Sequence, residues 1–229
     1  MRNLKTCGVV LLVVAMLSPV PQASATIVQV LNRPALGANL TVNWNAFTGP
    51  ISTPDSAVVG PETVTVSSSQ GQLARHTQGV DYFGDFAAGD ELLADAGSQS
   101  DSFIIRFSNP VAAAGTQIQR HSAMGAFTAY MGFYDTSNVL LNEIMVNGFG
   151  TANGSDNAMF IGGVSSAFDI SYLLLWVDND PMAFPARSGD LLINRLDVLV
   201  PVPAPGGTAV LVALLGFAAL RRRRGRALA

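Results

Sequence analysis

"GAFTAYMGFY" at 125–134, "DTSN" at 135–138 and "VLLNEIMVNG" at 139–148 form the stretch that decides the fold. In its first segment Phe127, Ala129, Met131 and Phe133 fall on one side of an alternating pattern. Thr128, Tyr130 and Tyr134 fall on the other. A period of two places one set of side chains on a core and the other on a solvated face, which is the signature of a half-buried strand. The four residues that follow are Asp, Thr, Ser and Asn, whose side chains bond to nearby backbone and favour turns. The denser apolar run after them then fits a more central strand.

The same pattern extends outward in both directions. "ETVTVSS" (62–68) alternates Val64 and Val66 with polar neighbours, and "SFIIRF" (102–107) puts Phe103, Ile105 and Phe107 on one face. "SYLLLWVD" (171–178) and "DLLINRLDVLV" (190–200) read as further strands. Between them stand Ser108-Asn109-Pro110, Ala152-Asn153-Gly154 and Asp178-Asn179-Asp180-Pro181, all read as turns. Residues 49–60, "GPISTPDSAVVG", read as a long loop, and "AGDELLADA" at 88–96 as a short helix. Short strands punctuated in this way predict an antiparallel β-sandwich over residues 26–199.

The two ends read differently. Arg2 and Lys5 precede an apolar stretch at 8–17, and Pro19, Pro21 and the small residues Ala23 and Ala25 follow it. This is the pattern of a signal peptide over 1–25, cut by signal peptidase after Ala25. Cys7 is the one cysteine of the chain and would leave with that peptide, so no disulfide braces the exported body. At the other end an apolar run at 208–220 is followed by Arg221, Arg222, Arg223, Arg224 and Arg226. As a transmembrane helix it would reach about 20 Å, against a bilayer core of roughly 30 Å. The arginines would act as a cytoplasmic stop, tethering the chain to the inner membrane with its body outside.

The body itself carries sixteen acidic residues against six arginines and no lysine, a net charge of −10. That balance argues against nucleic acid and an anionic membrane surface as partners of its faces.

Within 200–229 the segment Val202-Pro203-Ala204-Pro205-Gly206, the apolar run and the arginine cluster resemble the PEP-CTERM sorting signal, also described as the ice-binding protein C-terminal domain. Ala204 stands where that family usually has glutamate. The resemblance implies processing near the proline motif by an exosortase-type enzyme, after which the protein is at the cell surface or extracellular. The order "FSNPVAAAGTQIQ", "YDTSNVLLNE", "MFIGGVSSAFDISYLLLWV", "DLLINRLDV" is similar to jelly-roll bodies that precede such tails. This implies a jelly-roll-like sandwich with a structural or interaction role in the extracellular matrix, linked to exopolysaccharide. A secreted carbohydrate-binding module, assisted by calcium, is the alternative, and a secreted hydrolase a third.

Chemistry in the body is sparse. His76 and His121 each follow an arginine, but no nucleophile motif accompanies them, and they read as loop or strand-end residues. Asp90, Glu91, Asp95 and Asp101 could supply a carboxylate pair, and a solvated segment explains them equally. No catalytic residue and no cofactor is therefore assigned. Asp156 in "NGSDN" and Asp178 and Asp180 in "VDNDP" are weak calcium candidates, because oxygen ligands on loops suit that ion. Trp44 and Trp176 could stack on sugars, yet both read as core residues.

Overall fold

The computed structural model describes residues 26–47, 51, 53–68, 73–95, 102–121, 125–178 and 191–202. These residues form an all-β fold of two antiparallel sheets. The strands are β1 (Ile27–Val30), β2 (Leu40–Val42), β3 (Asp55–Val59), β4 (Glu62–Ser68), β5 (Leu73–Thr77), β6 (Glu91–Asp95) and β7 (Phe103–Val111). They continue as β8 (Ala113–Arg120), β9 (Gly125–Tyr134), β10 (Leu140–Gly150), β11 (Met159–Ser165), β12 (Ile170–Asp178) and β13 (Leu191–Leu199).

The first sheet has the order β1-β11-β8-β13-β6-β5, with β2 also paired to β13. The second has the order β10-β9-β12-β7-β4-β3. Their inner faces meet in one core. Phe127, Ala129, Met131 and Phe133 of β9, Phe103, Ile105 and Phe107 of β7, and Val64 and Val66 of β4 all lie in it, as the alternation predicts. The first sheet supplies Leu93, Ile118, Ile161, Ile193 and Leu196 from the opposite side.

Strand β13 holds the first sheet together. On one side it pairs with β8 along its length; on the other, Leu192 and Ile193 pair with β6 while Leu196, Asp197 and Val198 pair with β2. The register shifts between Ile193 and Leu196, so one strand serves two neighbours along a single edge. There Asn194 is buried and its carbonyl accepts from the Trp44 indole at 2.7 Å. At the far edge the sheets approach without main-chain pairing. Gln29 donates to the carbonyl of Met145, and Asn142 to that of Ile27.

Several expectations need correction. Residues 91–95 are strand β6, not part of a helix. Leu93 enters the main core, whereas Leu92 packs with Tyr82, Phe86 and Leu192 on the outer side of the sheet. Adjacent side chains divided between opposite faces require a strand. The expected loop at 49–60 contains β3, whose Ala57 is buried. The Ser108-Asn109-Pro110 turn is instead an irregular part of β7, where the pairing with β12 shifts register.

The flanking signal and transmembrane helices are not shown. Among the described residues there is no α-helix, and no helix is long and apolar enough to cross a membrane. The stretches expected to form a signal helix and a transmembrane helix lie outside the described residues.

Candidate functional site

The outer face of the second sheet carries the most suggestive arrangement. Register places Leu140, Tyr134, Tyr172, Arg106, Thr65 and Ser56 in one row across β10, β9, β12, β7, β4 and β3. At a strand spacing of about 4.8 Å the row is roughly 24 Å long. Leu140, Arg106 and Ser56 are exposed, and Tyr134, Tyr172 and Thr65 are half-buried. The row therefore runs from an apolar end, over two phenols and a guanidinium, to two hydroxyls.

Its geometry is ordered by stacking. The rings of Tyr134 and Tyr172 are 4.6 Å apart and within 3° of parallel. The guanidinium carbon of Arg106 lies 4.2 Å from the Tyr172 ring centroid. Beyond it, the hydroxyls of Thr65 and Ser56 are 2.7 Å apart. Parallel rings on adjacent strands cover part of each other's faces, so the row presents ring edges, phenol hydroxyls and guanidinium N–H groups outward. Such a surface offers hydrogen bonds more than broad stacking planes.

Four residues further along the same two strands is a second pair. Tyr130 and Trp176 stack at 5.1 Å and 5°. Trp176 is buried, as expected, but on the outer side of the sheet beside Tyr130, opposite to Leu175 and Val177. Between the pairs Gly132 and Leu174 occupy the intervening row. A Cβ on Gly132 would approach the Tyr134 ring to 3.0 Å. Trp44 is fully buried beneath β13, in a 3-10 turn after β2, and takes no part in this face.

The two histidines do come together, on the first sheet's outer side. Their ring centroids are 5.4 Å apart, with Tyr82 at 6.2 Å from His76 and 5.6 Å from His121. His76 Nδ1 is 3.4 Å from Asp81 Oδ2. The backbone N–H of Thr77, and to a lesser degree His76, hold the Asp81 carboxyl below its ordinary range. Among the described residues His76, His121 and Tyr82 thus form a compact aromatic cluster beside Asp81.

The carboxylates are dispersed. Asp90 accepts from Asn194 Nδ2 at 3.0 Å and Glu91 from Thr77 at 3.2 Å; the side chain of Asp95, and Asp101, lie outside what is described. Asp156 accepts from Gln117 of β8, in the first sheet. Asp178 ends β12 in the second sheet, opposite Thr128. Asp156 and Asp178 thus stand with different sheets, and Asp180 is outside the described residues. Of the tail motif, Val202 is described and exposed. Ala23, Ala25, Pro203, Ala204, Pro205, Gly206, Arg221, Arg222, Arg223 and Arg224 lie outside the described residues.

A further polar network caps the first sheet. Arg33 pairs with Asp197 and donates to Gln117 and Asn194 at 3.0 and 3.2 Å. Burial pulls the Arg33 guanidinium down from its ordinary value, and Asp197 opposes that pull. Thr41 also donates to Asp197. Every partner here is internal, which marks the network as structural.

Sequence reasoning placed Tyr130 and Tyr134 on an outward face but not the row they join. The missed residues, Tyr172 and Arg106, sit on strands distant in sequence. The available signal was the second alternation, Tyr172, Leu174 and Trp176.

Neither protein-family models nor curated proteins match the chain. Among solved structures, one similar chain is a DUF4465 family protein from Bacteroides caccae. It has 10% identity and a TM-score of 0.39, over 75% of this chain and 97% of that one. A likeness at that level carries no argument about function.

Proposed function

We propose that this chain is an exported, non-enzymatic β-sandwich protein of the extracellular matrix that binds polysaccharide through the outer face of its second sheet. The observation that carries the reading is the ordered row Tyr134, Tyr172, Arg106, Thr65 and Ser56. Phenols, hydroxyls and a stacked guanidinium on rigid strands offer many hydrogen bonds at low cost in side-chain ordering, which suits a hydroxyl-rich chain. The strand spacing is close to the length of one sugar unit in a β-linked chain, so successive units could meet successive strands. Export is supported by the signal-like residues at 1–25 and by the resemblance of 202–226 to a sorting signal read by an exosortase-type enzyme. A jelly-roll topology is part of the proposal. It is supported by the facing orders β6-β13-β8-β11 and β7-β12-β9-β10, an arrangement that two interleaved Greek keys produce.

Affinity electrophoresis in gels containing soluble polysaccharides tests the reading. The protein should be retarded by at least one of them, and Tyr172→Ala should weaken that retardation about tenfold, equivalent to about 1.4 kcal/mol. Unretarded migration in every polysaccharide would overturn the proposal.

A further inference from the structure

Resting on that reading of the second sheet's face, we infer that Arg106 makes the row selective for anionic polysaccharides, chains carrying a carboxylate such as a uronate. Arg106 is exposed in the middle of the sheet and has no hydrogen bond or ion pair from its side chain among the described residues. In a body of net charge −10 an exposed arginine with no ion pair among the described residues is unexpected. Glu62 on the adjacent β4 is buried, and its carboxylate is taken up by Ser108 and Asn109. Glu143 lies on β10, three strands from β7, or about 14 Å. Asp178 lies six residues along β12 from Tyr172, about 20 Å. Among the described residues no carboxylate pairs with Arg106.

Its orientation is held as well. Contact with the Tyr172 ring occupies one face of the planar guanidinium and leaves its N–H edges for a partner in plane. A carboxylate is the group that accepts two parallel N–H bonds from that fork. The phenol of Tyr172 and the hydroxyl of Thr65 flank it on either side, ready for the ring hydroxyls of the same sugar. A neutral chain would take single hydrogen bonds from the same groups, without the paired charge-assisted contact. Repulsion between an anionic polymer and the acidic body is screened beyond about 8 Å at physiological salt, so the local pairing decides.

The test compares polygalacturonate with its methyl-esterified form, using the full chain and isothermal titration. Wild-type protein should bind the free acid at least tenfold more tightly than the ester. Arg106→Gln should abolish that preference, with affinity for the free acid falling at least tenfold more than affinity for the ester, and Arg106→Lys should keep only part of it, because an ammonium lacks the fork. Equal binding of acid and ester by wild type, or a preference that survives Arg106→Gln, would overturn the inference and leave the polysaccharide-binding reading intact. If neither form binds and the gels also show no retardation, both fail together. Circular dichroism of both variants checks that the exposed site can be altered without unfolding.

Discussion

Arg33 and Asp197 are held where either charge alone would be costly. Asp197 is 4% exposed, and its carboxylate serves both Arg33 and Thr41. Removing one partner of a buried pair leaves the other uncompensated, so Asp197→Ala should cost about 3 kcal/mol in urea unfolding. The double replacement Arg33→Met with Asp197→Leu should recover much of that loss, since apolar groups of similar volume carry no such penalty. Asp81 is a contrasting, exposed case. Its carboxyl is held below the ordinary value by the Thr77 N–H at 2.6 Å and by His76. A depressed carboxyl stabilises the fold above its unfolded value and loses that contribution as pH falls through the folded one. Wild type should therefore melt above Asp81→Asn at neutral pH, and the gap should close as thermal scans are taken into the acid range.

Among the elements, β6 shows where sequence reading stops. "AGDELLADA" has helix-forming residues and acidic flanks, and local propensity favours a helix. The strand wins because both sides of this segment are covered: the main core on one, and Tyr82, Phe86 and Leu192 on the other. A one-sided amphipathic pattern cannot announce a doubly buried strand. Leu92→Ala and Leu93→Ala should then each cost about 3 kcal/mol by denaturant titration, whereas a surface helix would spare one of them. By contrast β4, β7 and β9 were plain in the sequence, because each has one face on the core and one on solvent. Their outward residues were plain too, but a row that joins Tyr134 to Tyr172 and Arg106 depends on pairings between strands far apart in the chain. Besides β3 and β4, joined by residues 60–61, only β9 and β10 in this sheet, linked by the Asp135–Asn138 turn, announce their pairing locally. There Asp135 Oδ1 accepts from the N–H groups of Ser137 and Val139.

For the molecule as a whole, the order of strands in space departs widely from their order in sequence. The first sheet joins β1 to β11 and β5 and β6 to β13, so distant parts of the chain must meet before either sheet is complete. Strand β13 lies between β8 on one side and both β2 and β6 on the other. A chain ending at residue 190 should show no cooperative thermal transition by circular dichroism, and a sharp melt for that fragment would refute the central role of β13.

That placement also sets a clock on synthesis. The last described strand to leave the ribosome is the one on which strands made much earlier depend. Until it emerges, β2 and β6 have no partner along that edge, and the chain separating them from it is most of the body for β2 and about half of it for β6. The first sheet is thus completed only by the last of its strands, whereas every strand of the second has been made by residue 178.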